Sequence, residues 1–232
     1  MGAQWKQKGK LENSSKRGQT ISKACKEIII AAKAGDPDPA NNARLRAAVE
    51  SARKQSVPRE NIERAIKKGA GLLEPVNYEV VTFEGYSPHQ VPCIVECLTD
   101  NRNRTSGDMR VLFRKGSLGA SGSVAYLFNH LGMVVGTPPH DTADFEEAAI
   151  EAGAQEVEKL EDGAQFLCEK SDLTAVTKFL QDGGWKITAS EFAYVPKAAL
   201  EITEEARKDV ESFLNELDDN DDVQRIFTAL KS

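Results

Sequence analysis

Arg102 and Arg104 lie in the stretch Asp-Asn-Arg-Asn-Arg-Thr, residues 100–105, between an apolar run and a segment with helical spacing. Two arginines beside short polar residues can bind an oxyanion or pair with carboxylates. Asp100 or Asn101 suits an N-cap at such a strand-to-helix junction. Capping does not account for the arginines, whose charge opposes the dipole of a helix start unless an anion lies close. Two readings stay open: an ion pair with acidic residues of the chain itself, or a contact to phosphate or RNA. Gly-Ser-Leu-Gly-Ala-Ser-Gly, residues 116–122, is rich enough in glycine to cradle a phosphate. No Gly-Lys-Ser/Thr follows it, however, and a strand rather than a helix is expected next. It is read as a flexible connection or a point of close backbone approach.

Glu-Leu-Asp-Asp-Asn-Asp-Asp-Val, residues 216–223, lacks the glycine and the terminal glutamate of a calcium loop. That leaves a solvated acidic face or a docking surface for a basic partner. Cys93 and Cys97 share a strand face at roughly 13 Å spacing, too far to chelate one ion or form a disulfide with each other. With Cys25 and Cys168 they are read as buried core thiols. His89, His130 and His140 are scattered. No nucleophile, acid–base or metal constellation emerges, so neither an enzyme nor a cofactor or metal site is expected.

The strongest chemical signal is segregated charge. Residues 1–73 hold 16 Lys and Arg against 7 Asp and Glu, a net of +9; residues 74–232 hold 14 against 29, a net of −15. The chain total of −6 therefore conceals a basic module on an acidic body. Such a module favours a polyanion. The candidate nucleic-acid contacts are Trp5, Lys6, Lys8, Lys10, Lys16, Arg17, Lys23, Lys26, Arg44, Arg46 and Arg53, with Arg102 and Arg104 as a further anion or RNA contact. Trp5 is the lone aromatic among the cations, so phosphate neutralisation should outweigh base stacking.

These cations need helices to present them. Ile21, Cys25, Ile28, Ile29 and Ala32 recur at helical spacing before Gly35, and Asp-Pro-Asp-Pro (36–39) breaks the run. Leu45, Ala48, Val49 and Ala52 mark a second helix, and Ile62, Ala65 and Ile66 a third after Pro58. No helix-turn-helix is read here, because the 34–42 break is longer than the usual turn. Residues before Gln19 carry almost no apolar side chains and are expected to form a flexible arm. Beyond Glu74 the texture changes to strands over 78–86 and 91–99, a helix after Thr105, and a strand over Ser121–Phe128. A β-α-β-β-α-β series follows, which is the ferredoxin-like order. A last helix from Thr203 and a strand ending near Leu230 close the chain.

The expected fold class is α+β: an N-terminal three-helix bundle, then two α/β sandwich domains, the second ferredoxin-like and inserted in the first. The expected domains are 1–73, basic and helical with an N-terminal arm; 74–130 plus 200–232; and the insertion 131–199. No membrane span or export signal is read, and a cytoplasmic address is expected.

The stretches Lys16–Gly71, Phe83–Pro88, Glu96–Thr105, Gly116–Phe128, Glu151–Val157 and Asp221–Phe227 together resemble the YebC/PmpR family, which includes the mitochondrial translational activator of cytochrome c oxidase. The resemblance is collinear over nearly the whole chain. The family commonly opens Gly-His-Ser-Lys-Trp; here Gly2-Ala3-Gln4-Trp5 keeps the tryptophan without the histidine and serine. The resemblance implies a cytoplasmic, DNA-binding regulator of transcription. Its organellar members point to the alternative, a translation factor acting on ribosomal RNA. A protein partner on the acidic C-terminal face is a further expectation.

Overall fold

The computed structural model describes residues 14–74, 77–140 and 144–231. Three helices come first: α1 (Ser14–Lys33), α2 (Ala43–Lys54) and α3 (Arg59–Gly69). Their apolar stripes close on one core in which Ile28, Leu45 and Ala52 are wholly buried and Val49, Ile62 and Ala65 nearly so. Gly69 admits the close approach of α3 to α1, since a Cβ there would lie 2.5 Å from the Ile29 carbonyl oxygen. Asn42 caps α2 by accepting a hydrogen bond from the Leu45 amide. Helix α1 begins at Ser14, so the last part of the expected arm is helical; residues 1–13 lie outside the described residues.

Strands β1 (Glu79–Tyr86) and β2 (Pro92–Thr99) form an antiparallel pair, followed by α4 (Arg102–Leu112) and the short β3 (Ser117–Leu118). Helix α7 (Glu204–Asp218) and β8 (Val223–Thr228) complete this layer, giving a sheet of order β3-β1-β2-β8. Central strand β2 sends Cys93, Val95 and Cys97 into a core with Met109, Phe113, Phe213 and Leu214. The rings of Phe113 and Phe213 meet edge to face at 5.3 Å.

The strand expected over Ser121–Phe128 does not form. The buried Glu84 carboxylate accepts hydrogen bonds from the amides of Gly122, Val124 and Ala125 at 2.7, 2.9 and 2.8 Å, which winds the segment into turns and a short 3-10 helix. Donors spent on a carboxylate are not available to a sheet ladder. The glycine-rich loop before it is a place of close backbone approach: a Cβ on Gly116 would lie 2.1 Å from the Tyr86 carbonyl oxygen.

Between these halves run β4 (Phe128–Thr137), α5 (Phe145–Ala152), β5 (Glu156–Leu160), β6 (Gly163–Cys168), α6 (Leu173–Asp182) and β7 (Lys186–Pro196). The antiparallel order β5-β6-β4-β7 is that of a ferredoxin-like sheet. Its helix-covered face buries Val134, Phe166, Val176, Leu180 and Trp185. Residues 128–197 form one compact unit; the three-helix bundle groups with the outer sheet in the other. The class is thus α+β, with three N-terminal helices and two antiparallel sheets. No described helix is long and apolar enough to cross a membrane.

Candidate nucleic-acid interface

The cations of α1 do not form one exposed row. Lys26 is only 8% exposed. Its Nζ donates to Asp222 Oδ1 at 2.8 Å, the Asp221 carbonyl at 2.9 Å and the Leu98 carbonyl at 3.2 Å. Three acceptors match the three protons of an ammonium group. One turn earlier, Lys23 donates to the Asp218 carbonyl at 2.5 Å and lies 3.5 Å from its Oδ1. Gln19 adds a bond to the Asp219 carbonyl. The acidic run 216–223 is therefore not a simple solvated face. Helix α1 docks on it.

The Asp100–Thr105 turn belongs to the same junction. Asn101 caps α4, its side chain accepting from the Arg104 amide at 3.1 Å. Arg104 Nη2 reaches Asp100 Oδ1 at 2.9 Å and Asp222 Oδ2 at 3.1 Å. Thr105 Oγ1 lies 2.8 Å from Asp222 Oδ2 and 2.7 Å from Thr99 Oγ1, and Asp222 is only 4% exposed. Burial alone would push the Asp222 carboxyl up. Hydrogen bonds from Lys26, Thr105 and Arg104, with the Lys26 charge, outweigh burial and hold it below the ordinary aspartate range. The same bonds, from Asp222 first and then Asp100, raise Arg104. The anion that makes an arginine tenable in the first turn of α4 is a carboxylate of the chain itself. A cleft of roughly 520 Å³ opens here, walled by Asp100, Asp108, Asp219 and Asp221 around Lys26 and Arg104. Such a wall repels phosphate. Arg102 is exposed.

The remaining candidates divide further. Trp5, Lys6, Lys8 and Lys10 lie outside the described residues, as does the side chain of Lys16. Arg17 is exposed. Arg44 is 3.9 Å from Glu27, and Arg46 ties down the Asp-Pro-Asp-Pro break through the Pro39 and Ala40 carbonyls. Arg53 is exposed and unpaired among the described residues.

What the list of candidate contacts omitted is the α2–α3 edge. Lys54, Arg64 and Lys67 are exposed, Lys68 is half-buried, and none has an ion-pair partner among the described residues; Arg59 pairs only with Glu63, one turn on. Ile62, Ala65 and Ile66 take the inner face of α3, which turns Arg64 and Lys67 outward. Arg53, Lys54, Lys67 and Lys68 occupy last turns, where the helix dipole favours cations. The signal was legible in that placement. The helix-turn-helix spacing falls not at the 34–42 break but between α2 and α3, which only Gln55–Pro58 separates. Four residues is the turn length of that motif.

Cys93 and Cys97 are fully buried, their thiols pushed up to about 12 first by burial. All four cysteines are free, with Cys25 the least buried. No group of three or more His, Cys, Asp or Glu among the described residues is placed to hold a metal ion.

Two family models match the chain: the TACO1/YebC protein N-terminal domain over residues 1–72, and the TACO1/YebC second and third domain over residues 78–230. A protein of Pseudomonas savastanoi pv. phaseolicola named "Probable transcriptional regulatory protein" is 53% identical over 233 residues, covering 99% of each chain. One of Bdellovibrio bacteriovorus with the same description is 49% identical, covering 99% of this chain and 100% of its own. The crystal structure of a conserved hypothetical protein from Aquifex aeolicus superposes with a TM-score of 0.82 at 40% identity, covering 98% of this chain and 96% of that one.

Proposed function

The chain belongs to the TACO1/YebC family, and from that premise we propose that it is a regulator of gene expression that binds nucleic acid, DNA in the first instance. Its relatives named as transcriptional regulatory proteins support the regulatory part. The observation that carries the binding part is the cation edge of α2 and α3, without ion-pair partners among the described residues, on a module of net +9. Arg53, Lys54, Arg64, Lys67 and Lys68, with Arg17 on α1, contact the phosphates. Lys23, Lys26 and Arg104 are excluded because they are spent inside the molecule. A four-residue turn before α3 suits a helix laid into a major groove, with Asn61 and Arg64 on its exposed side.

A second reading, binding to ribosomal RNA, is favoured by one specific feature. The acidic remainder, net −15, opposes broad contact with duplex DNA and leaves only a localised basic edge. Phosphate contacts of this kind position a protein without reading sequence. Co-sedimentation of the full chain with ribosomes, beside gel shifts on mixed duplex DNA at two salt concentrations, separates the two. Shifted duplex with no ribosome pelleting supports the DNA reading; pelleting without a duplex shift replaces it with the translational one; neither would defeat both.

A further inference from the structure

The ferredoxin-like unit carries a surface unrelated to the basic edge. Residues 128–197 contain 13 Asp and Glu against 5 Lys and no Arg, a net of −8, so this unit repels nucleic acid. Between α5 and α6 lies a pocket of about 230 Å³ with an apolar floor of Ala148, Phe179 and Leu180 beside Trp185, and a rim of Asp144, Glu147 and Glu151. No lysine or arginine lines it.

Two independent features of the pocket lack an internal explanation. The first is electrostatic. Asp144 caps α5 and Glu147 sits in its favourable first turn, but Glu151 stands four residues from Glu147, an arrangement that repels, and among the described residues neither glutamate has an ion pair. Glu151 also sits in the last turn of α5, where negative charge opposes the helix dipole, and neither α5 nor α6 has a basic residue in its last turn. The second is hydrophobic. Phe179 of α6, which lines the pocket, is 43% exposed although α6 has apolar core positions enough in Val176 and Leu180, and Ile150 of α5, outside the lining but next to Glu151, is 78% exposed. Exposed apolar side chains rimmed by charge of one sign mark an interaction surface rather than a solvated one.

We propose that the α5–α6 pocket is a docking site for a lysine- or arginine-rich segment of a partner protein that seats one large apolar side chain against Phe179 and Leu180. The cations of that segment meet Glu147 and Glu151 and relieve their repulsion, while the anchor and Ile150 lose water together. The contact is small, so the complex is transient and weakened by salt.

The probe is a labelled amphipathic peptide of about four helical turns, rich in lysine, with leucine and tryptophan on one face. Its controls replace either the apolar residues by serine or the lysines by glutamate. Fluorescence anisotropy is measured on the full chain, with E147Q/E151Q and I150A/F179A variants in parallel, and the peptide's footprint is mapped on the wild type by amide chemical shifts. The expected result is saturable binding of the amphipathic basic peptide alone, with shifts clustered at 144–151 and 179–185. Each double substitution should weaken it by about tenfold. Absence of binding, equal binding by the serine control, or shifts clustered at 216–223 instead would overturn the proposal. The wild-type map decides the matter even if a variant folds poorly, and nucleic-acid binding should be unchanged in both variants.

Discussion

Lys26 and Asp222 illustrate how a side chain's role depends on what its helix is packed against. Read along the chain, Lys26 is one of a series of basic residues; in three dimensions it is a buried cation with three acceptors. Breaking a buried pair leaves the partner charge uncompensated. Lys26→Met keeps the aliphatic stem and removes the charge, and should cost about 3 kcal/mol in urea denaturation, Arg104 and Thr105 moderating the loss. The pH dependence has a definite sign. Because the folded Asp222 carboxyl is held below its ordinary value, its contribution is present above the unfolded pKa of about 3.9 and is lost as pH falls through the lower folded value. Asp222→Asn should therefore be less stable at neutral pH and should lack that acid-side decline. A decline of unchanged size in the variant would assign it to other carboxylates.

At the scale of elements, the ends of α2 and α3 were legible, while the start of α1 and the loop contacts were not. Periodic apolar residues and Pro58 placed α2 and α3 closely, because these signals act within one turn. The Ser121–Phe128 segment misled, because its fate depends on Glu84, some forty residues earlier in the chain. No local pattern announces that a carboxylate will gather three amides. Capping supplies a sharper test. Helices α3 and α6 end in paired hydrogen bonds with Gly71 (φ 75°) or Gly184 (φ 85°) in the left-handed position. Helix α2 ends with the same pair of bonds, Ser56 to Arg53 and Val57 to Ala52, but uses Ser56 at φ 58°. The left-handed strain on serine outweighs the added freedom of an unfolded glycine. Ser56→Gly should raise stability by about 0.5–1 kcal/mol in the same urea assay; a loss would show that the serine side chain contributes more than its backbone costs.

For the whole molecule, segregated charge was legible from counts alone, and its use was not. The sequence separates +9 from −15 but does not say which cations face which carboxylates. The fold spends the middle of α1 on the Asp218–Asp222 run and leaves the α2–α3 edge exposed. The candidate site was therefore half readable. Arg17 and Arg53 stand exposed as expected, Lys23 and Lys26 do not, and Arg64 and Lys67 on the outer side of α3 join the edge with the half-buried Lys68.

The salt dependence of nucleic-acid binding distinguishes a contact on the α2–α3 edge from one on α1. Affinity of the wild type, Arg64→Ala/Lys67→Ala and Lys23→Ala is measured across a range of salt on two unrelated sequences. If about six phosphates are engaged, the wild-type log–log slope is about −5 on duplex DNA. The α3 double substitution should weaken both sequences alike and flatten the slope by about two, one per lost phosphate contact, whereas Lys23→Ala should leave the slope unchanged. An unaltered slope in the α3 variant, or flattening by Lys23→Ala, would return the contact to α1.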